Sequence, residues 1–466
     1  MPSWAPLTEE QLEVRRIVDV NAETVTNTAS TDIPGHYGPK QDDDWDLERF
    51  KQNLKVDFHH NKPFDSAFSL LGVDSSIANA YRRILLAELP TLSIEDVYFF
   101  DNTSIIQDEV LAHRLGLIPL TGGRQGLREM RWFKKPPPKD DFAARAQWDQ
   151  ERAEGKVNTD NDAPNDYNTV VLSLQVECRW KTMAEDGVDG KQLAKDGETD
   201  PKEKYVNSNV YAHQIQFEPQ GERQVNWFSG DEIIRPVNPD ILIAKLRPGQ
   251  RINVRMHAIK GIGADHAKFS PVATASYRLL PDIKITQPIL GKDAKAFQHC
   301  FPRGVIKLED DPESGEKKAA VDDPFKDTVS REVLRHDEFK GKVKLGRIRD
   351  HFIFSVESAG QFESDELFID SVRLLKKKAN TFKGFMDRLE IGKGRDDSAM
   401  ILPIERSFGM YARRTQRSRS NKSVTNQEEE EEAEFGESPC QRGSEPGTIT
   451  RRSHMQQHLE SAVARF

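Results

Sequence analysis

The pattern of apolar and polar positions is most regular in residues 74–90. Asp74 can accept hydrogen bonds from the first amides of a helix, and Pro90 ends helical geometry because the residue before a proline avoids it. Between these two residues, apolar side chains recur at helical spacing at Ile77, Tyr81, Ile84, Leu85 and Leu89. We therefore predict an amphipathic helix. Arg82 and Arg83 lie off its apolar stripe, which predicts one packing face and one cationic face.

A second long helix is predicted over residues 364–382, where apolar positions alternate by four and three residues. These positions are Phe368, Val372, Leu375, Ala379 and Phe382. This spacing is that of a heptad seam, which packs against another helix. The partner helix could belong to this chain or to another one, and the pattern leaves both alternatives open. Ser364 suits the first position of the helix, and the lysines at 376–378 suit its negative end.

Shorter runs predict β-strands through the rest of the centre. Residues 54–58 and 67–71 flank a turn-like Asn61-Lys62-Pro63 and predict a hairpin. A strand over residues 93–100 and a short helix over 108–115, terminated by Gly116, follow. Later strands are predicted at residues 169–178, 210–217, 241–246, 251–259, 272–280 and 352–356. The chain therefore combines helices with a β-rich module.

Polar segments separate these elements. Residues 1–46 have no sustained period and indicate an extension, residues 121–163 are charged and proline-rich and indicate a surface insertion, and residues 301–342 indicate a polar connection. After Gly384, a basic, serine-rich run at 413–422 precedes a run of glutamates, which is typical of a disordered tail. The basic run fits a solvated tail, a nuclear localisation signal or a nucleic-acid contact.

Composition restricts the function. The 466 residues carry a formal net charge of -9, which disfavours a protein that binds nucleic acid over its whole surface. No apolar run approaches the roughly 18 residues that a membrane-spanning helix needs, so we expect a soluble, intracellular protein. The cysteines Cys178, Cys300 and Cys440 lie far apart, so we expect reduced thiols and no zinc knuckle.

Patterns for catalysis are incomplete. Gly261 and Gly263 follow a predicted strand as in a dinucleotide-binding loop, but His266 stands at the third glycine position and the next predicted element is a strand. Glu109 and His113 could share a helix face and hold a metal, yet no third ligand is in view. We find neither a phosphate-binding loop with its lysine nor a serine nucleophile elbow. A stand-alone nucleotide-binding enzyme remains an alternative, built on the two glycines.

A long string of residues carries a family resemblance. Residues 79–95, followed by segments at 102–104, 108–109 and 111–120, resemble the signature of alpha-like RNA polymerase subunits. Within this string the resemblance is carried by Asn79, Arg82, Arg83, Pro90, Glu95, Asn102, His113, Arg114, Gly116 and Pro119. It continues through residues 261–271 and 277–283 and covers residues 50–382 in outline. The family includes the bacterial alpha N-terminal domain and the archaeal D subunit.

The resemblance implies an α+β fold in which a β-rich insert domain interrupts a discontinuous dimerisation domain. The implied dimerisation domain consists of residues 47–112, 249–290 and 346–383, and the insert domain of residues 113–248. Residues 291–345 would form a metal-free inserted module. Residues 1–46 are left as a polar N-terminal extension, and residues 384–466 as a low-complexity, disordered tail.

The resemblance also implies a non-catalytic assembly subunit that pairs with a smaller alpha-like subunit. The implied interface residues are Ile77, Tyr81, Arg82, Arg83, Ile84, Leu85, Phe368, Val372, Leu375, Ala379 and Phe382. Arg82 and Arg83 would anchor the second-largest polymerase subunit, since a guanidinium binds carboxylates and carbonyls in fixed geometry. Small zinc-bearing subunits common to the polymerases are further partners. DNA would be reached only through the complex, in the nucleus and nucleolus.

Departures from relatives narrow the resemblance. The polymerase II counterpart carries a cysteine-rich zinc loop, whereas residues 121–176 contain no cysteine. Archaeal relatives can hold an iron-sulfur cluster, but here that region keeps only Cys300, and one thiolate cannot hold a cluster that needs four. The chain therefore resembles the larger alpha-like subunit shared by polymerases I and III, which make ribosomal RNA precursors, 5S RNA and tRNA, and no cofactor is expected. The polymerase II paralogue is the alternative.

Overall fold

The structure is a computed structural model that describes residues 16–28, 47–133, 137, 142–153, 163–312 and 315–392. Most of the predicted N-terminal extension and tail therefore lies outside the described residues, including the basic run, the glutamate run and Cys440. No helix within the described part of the chain is long and apolar enough to cross a membrane.

The described strands are β1 (Ile17–Val20), β2 (Val25–Thr26), β3 (Lys55–Lys62), β4 (Asp65–Leu71), β5 (Pro90–Asn102), β6 (Leu120–Thr121), β7 (Thr169–Glu177), β8 (Arg179–Trp180), β9 (Tyr205–Val206), β10 (Asn209–Tyr211), β11 (Gln216–Glu218), β12 (Arg235–Pro236), β13 (Leu242–Lys245), β14 (Arg251–Ile262), β15 (Val272–Ile285), β16 (Ile306–Asp310), β17 (Lys317–Val321) and β18 (Val343–Ser358). The described α-helices are α1 (Leu47–Asn53), α2 (Ser75–Ala87), α3 (Asp108–Gly116), α4 (Arg124–Glu129), α5 (Phe142–Ala153), α6 (Met183–Asp186), α7 (Gly190–Lys195), α8 (Pro201–Lys204), α9 (Gly221–Trp227), α10 (Gly291–His299) and α11 (Ser364–Gly392). The mixture of helices and strands confirms the predicted α+β class.

The described residues form two compact units, and each unit is built from two stretches of the chain. The first unit contains residues 16–83 and 274–357, and the second contains residues 84–273 and 358–392. The division falls inside α2, after Arg83.

The first unit is built on a six-stranded sheet with the strand order β2-β1-β18-β4-β3, in which β15 also pairs with β18. The antiparallel β3–β4 pair confirms the predicted hairpin. Aromatic side chains form part of the core of this sheet, because Phe68 stacks on Phe354 with ring centroids 5.5 Å apart and meets Phe58 at 5.2 Å. All three side chains are buried.

Residues 289–339 of the first unit fold around an apolar cluster that they share with Val20, Ile283, Val343 and Leu345 of the sheet. The helix α10 and the β16–β17 hairpin contribute to this cluster, together with Phe301 and Val333 from the connecting segments. The rings of Phe297 and Phe339 meet edge to face at 5.4 Å. The prediction of a polar connection over residues 301–342 is therefore wrong, because its few apolar residues are spaced irregularly yet become buried together.

The second unit is built on a four-stranded antiparallel sheet with the order β11-β7-β14-β5. β14 is central and pairs with β7 from Arg251 to Ile259 and with β5 from Ile252 to Ile262. The helix α3 packs against this sheet through the fully buried Leu111 and Leu115. One sheet thus combines strands of the implied insert domain, β7 and β11, with strands of the implied dimerisation domain, β5 and β14.

The start of the predicted surface insertion belongs to the core of the second unit. Leu127 of α4 and the following Met130 are buried in the same cluster as the sheet. A Cβ atom at Gly126 would lie 2.5 Å from the ring of Phe228, so the glycine permits close packing there. The prediction of a surface insertion is therefore wrong for residues 124–130, where one short helical turn carries too few apolar residues to show a period.

Candidate partner interface

Hydrogen bonds of the second unit join two distant parts of the family-like sequence. The Thr91 hydroxyl donates to the Phe269 carbonyl at 2.6 Å. The Lys268 ammonium donates to the Ile94 carbonyl at 2.8 Å and to the Glu95 carboxylate at 2.5 Å. These bonds tie the beginning of β5 to the turn that precedes β15, so this part of the signature is a structural junction.

The next part of the signature fixes α3. The Asn102 amide donates to the Ile106 carbonyl at 2.9 Å and to Asp108 at 2.6 Å, which orders the turn that leads into the helix. The Ser93 hydroxyl donates to the Gly116 carbonyl at 3.0 Å at the other end. Gly116 is the last residue of the helix, but the residue after it stays in right-handed geometry. The helix therefore ends at Gly116, as predicted, without a left-handed residue at its end.

The two glycines of the nucleotide-binding alternative are packing positions. A Cβ atom at Gly261 would lie 2.6 Å from the ring of Phe269, and one at Gly263 would lie 2.2 Å from the Leu86 carbonyl oxygen. The chain continues into a 3₁₀ turn at Ala267–Phe269 and then into β15. Because no α-helix N-terminus follows the loop, the loop lacks the element that would bind a pyrophosphate.

The helix α2 begins where the sequence predicts. The Asp74 carboxylate accepts from the Ser76 amide at 2.8 Å and from the Ser76 hydroxyl at 2.6 Å, and the hydroxyl contact lowers the pKa of Asp74. On the apolar stripe Tyr81, Ile84 and Leu85 are buried, and burial raises the pKa of Tyr81 to about 12.

The polar side of α2 presents two different arginines. The guanidinium of Arg82 donates to the Asn79 side-chain oxygen at 2.8 and 3.1 Å, so it is held against its own helix. Arg83 is exposed, and within the described ranges it has no hydrogen-bond or ion-pair partner. Of the two predicted anchor residues, Arg83 is the one that is available to another chain.

The heptad seam of α11 changes from core to surface along its length. Phe368 and Val372 are 1% and 3% exposed, Leu375 is half-buried, and Ala379 and Phe382 are exposed. The helix continues past the predicted end to Gly392, so residues 384–392 are not tail. Met386 extends the seam by one more position and is 45% exposed. Leu375, Ala379, Phe382 and Met386 lie on one helix face, which we call the exposed seam.

Ion pairs of the second unit hold α11 ahead of the exposed seam and at its beginning. Arg124 of α4 pairs with Glu366 at 2.5 Å and also with Asp370. Further along the helix, Lys378 pairs with Glu88, which follows α2. These contacts fix the first half of α11 and leave the exposed seam as the accessible part of the predicted interface.

Burial therefore sorts the eleven predicted interface residues. Tyr81, Ile84, Leu85, Phe368 and Val372 are buried within the chain. Ile77, Arg82 and Leu375 are half-buried, and Arg83, Ala379 and Phe382 are exposed. The sequence reasoning missed Met386, although its position, four residues after Phe382, fits the same repeat. It also missed Arg124, which lies in a segment whose charged composition indicated a surface.

The sequence profile of the RNA polymerase Rpb3/Rpb11 dimerisation domain matches residues 67–379, which is more than half of the chain. The chain belongs to this family. The matched region runs from β4 to the middle of α11 and ends at Ala379, within the exposed seam.

Curated relatives agree with this membership. The chain is 48% identical over 367 residues to the DNA-directed RNA polymerases I and III subunit RPAC1 of Saccharomyces cerevisiae, covering 79% of this chain and 97% of that protein. It is 42% identical over 379 residues to RPAC1 of Homo sapiens, covering 81% and 97%. It is 30% identical over 344 residues to the DNA-directed RNA polymerases II, IV and V subunit 3 of Arabidopsis thaliana, covering 72% and 92%.

The side chains that could bind a metal ion are dispersed among the described residues. Among the described residues, no group of three or more histidine, cysteine, aspartate or glutamate side chains is arranged to hold a metal ion. Cys178 and Cys300 are both buried free thiols, and burial raises the pKa of each. Neither thiol is paired with a second cysteine in the described ranges.

Proposed function

We propose that this chain is the larger alpha-like subunit shared by RNA polymerases I and III. The observation that carries the proposal is the gap in identity between two groups of relatives. The chain is 48% identical to a subunit named for polymerases I and III, and 30% identical to a subunit named for polymerases II, IV and V. Both alignments cover most of each protein, so the gap supports the polymerase I and III form over the polymerase II paralogue.

The proposed role is assembly rather than catalysis. The chain pairs with a smaller alpha-like subunit and forms with it a platform for the catalytic subunits. Exposed apolar side chains at regular helical spacing support a helical partner, because burying a phenylalanine side chain in a protein contact stabilises it by roughly 1.5–3 kcal/mol. Phe382 and Met386, which are 65% and 45% exposed, are the main apolar contacts of the proposed interface.

The cationic side of α2 is the proposed contact for the second-largest polymerase subunit. Arg83 supports this contact because it is exposed and unpaired in the described ranges, and a guanidinium forms two parallel hydrogen bonds with one carboxylate. Arg82, whose guanidinium donates to Asn79 of the same helix, forms the rest of the proposed cationic contact. Small zinc-bearing polymerase subunits are further proposed partners, and DNA is reached only through the complex.

The proposed domain organisation is the one implied by the family, a discontinuous dimerisation domain with an insert. The proposed location is the nucleus, including the nucleolus, where ribosomal RNA precursors are made. The proposed location in the nucleolus depends on the assignment to polymerases I and III, whereas the proposed domain organisation depends on the family alone.

Co-purification tests the proposed function. A tagged copy expressed in its own cells is expected to bring down subunits of polymerases I and III, identified by mass spectrometry. Recovery with polymerase II subunits alone would favour the paralogue, and recovery with no polymerase subunit would contradict the proposal. Phe382→Asp is expected to reduce recovery of the smaller partner, whereas Phe142→Asp, at an 82% exposed position on α5, serves as the matched control.

A further inference from the structure

A small cavity lies beside the first half of α11, within the second unit. It has a volume of about 70 Å³. Its apolar wall includes Leu89, Leu127 and Leu367, and its polar wall is made of Arg124, Arg128, Lys260 and Asp370. One water molecule needs about 10–15 Å³ of such space, so the cavity is large enough for a small polyatomic group.

Lys260 is the unusual residue of this cavity. It lies on β14, is only 8% exposed, and donates one hydrogen bond, to the Met130 carbonyl at 3.2 Å. Its ammonium also lies over the ring of Trp132, 5.2 Å from the centroid. An ammonium has three donors, and within the described ranges the Met130 carbonyl is the one acceptor that Lys260 meets. A buried cation with spare donors therefore lines the cavity.

Positive charge exceeds negative charge around the cavity. The charged groups that face Lys260 come from α4 and α11, and they are Arg124, Arg128, Glu129, Asp370 and Lys377. Asp370 is already shared, because it pairs with Arg124 and with Arg373 and lies 3.7 Å from Arg128. Burial, with a further contribution from Lys377, lowers the pKa of Lys260 to about 8. Within the described ranges Lys260 therefore has no ion-pair partner, although Glu129 is near enough to favour its charged form, and Arg128 shares Asp370 with two other arginines.

We propose that this cavity binds a single oxyanion group, held by Lys260 and Arg128. A carboxylate or a tetrahedral anion supplies acceptors for the spare donors of Lys260 and for the guanidinium of Arg128, whose side chain is 60% exposed at the mouth of the cavity. The anion comes either from an acidic side chain of a partner protein or from a free inorganic anion. The inference stands independently of the proposed polymerase function, because all of its ligands belong to this chain.

Calorimetric titration of the full chain with sulfate and with acetate, at matched ionic strength in chloride, tests the proposal. Saturable binding of at least one anion is expected. Acetate-selective binding indicates a carboxylate from a partner, and sulfate-selective binding indicates a free tetrahedral anion. Lys260→Met and Arg128→Gln are each expected to weaken binding at least about tenfold, since each removes a charged hydrogen bond.

Arg235→Gln is the matched control, because Arg235 is an exposed arginine of the same unit outside the cavity. It is expected to bind as the wild type does. The absence of saturable binding for both anions, or equal binding by Lys260→Met and the wild type, would overturn the proposal. If Lys260→Met lost its fold by circular dichroism, Arg128→Gln, which changes an exposed side chain, would decide the question alone.

The pH dependence of sulfate binding provides a second readout, since sulfate itself does not titrate near neutral pH. Below the pKa of Lys260, about 8, the ammonium is charged in the free protein, and binding is at full strength. As the pH rises above this value, the affinity is expected to fall. Lys260→Arg keeps its charge and is expected to give a flat profile. A flat profile for the wild-type protein would exclude Lys260 as a ligand and overturn the proposal.

Discussion

The two halves of α11 share one heptad repeat and have opposite environments. Phe368 and Val372 lie in the interior of the chain, whereas Ala379 and Phe382 continue the same spacing on its surface. The repeat therefore predicts which side chains share one face of the helix, but it does not predict whether that face is buried in the chain or exposed at its surface. Ion pairs from α4 to the first half, through Glu366 and Asp370, coincide with the buried part of the seam.

The largest expected effect belongs to the buried half. Phe368→Asp places an unpaired charge at a position that is 1% exposed, and we expect the free energy of unfolding to fall by about 3–5 kcal/mol. Urea unfolding followed by circular dichroism measures this loss. Phe382→Asp is the matched control on the same helix face and is expected to change stability by less than about 0.5 kcal/mol. Equal losses would show that the halves do not differ.

Replacing the buried Lys260 of the cavity beside the first half of α11 is expected to raise the stability of the fold. The pKa of Lys260 is lowered from its ordinary value of 10.5 to about 8, so burying its charge costs up to about 3 kcal/mol below pH 8. Lys260→Met is expected to raise the free energy of unfolding by up to this amount at about pH 7 in buffer without oxyanions.

The expected gain in the free energy of unfolding on removing the charge of Lys260 depends on pH. Between the two pKa values the unfolded chain holds the Lys260 proton and the folded chain has released it, so wild-type stability rises with pH across this window. The advantage of Lys260→Met is therefore expected to shrink as the pH approaches 10.5. Lys245→Met, at an exposed position of β13 outside the lining of the cavity, is the control. A constant difference between the variant and the wild type at all pH values would contradict the prediction.

The exposed half is expected to affect binding and not folding. Phe382→Asp removes a large apolar contact from the proposed interface, and we expect the affinity for the smaller alpha-like partner to fall by about 2 kcal/mol, or roughly thirtyfold. Calorimetry with the purified partner measures this change. Phe142→Asp, which alters an equally apolar and 82% exposed side chain, is expected to bind normally. Comparable weakening by both variants would point to a general solubility effect.

The smallest expected effect lies where the two halves of α11 meet. Lys378 pairs with Glu88, and both side chains are partly exposed. We expect Lys378→Met to lower the free energy of unfolding by about 0.5 kcal/mol, and less in high salt, because exposed ion pairs are weak and screened. Urea unfolding at two salt concentrations checks this. A loss that does not change with salt would show that packing of the lysine stem matters more than its charge.

Local signals made parts of this fold predictable. Asp74 and Pro90 mark the limits of α2 because a helix start and a helix stop depend on neighbouring residues alone. The β3–β4 hairpin and the strand β14 follow in the same way from alternation and turn residues. The apolar stripes of α2 and α11 were predictable because their side chains repeat at the helical period.

Features that depend on distant residues were not predictable. Leu127 is buried because it joins a cluster that includes Phe228 and Ile234, which lie about a hundred residues away. Lys260 follows alternating strand positions and gives no sign in the sequence that its ammonium is enclosed by α4 and α11. The change from buried to exposed positions along the α11 seam could not be predicted either, because it depends on which distant residues pack against each half of the helix.

The paired strands β5 and β14 are far apart in the sequence, so they leave the ribosome at different times. Thr103, just after β5, bonds to Arg251 at the start of β14, and the two residues are 148 positions apart. At about 5–20 residues per second, β14 is synthesised roughly 7–30 s after β5. During that delay β5 has no strand to pair with, and its Tyr98 and Phe100 add to the apolar surface that it shows. β5 can therefore form its pairing with β14 only after the chain between the two strands has been synthesised.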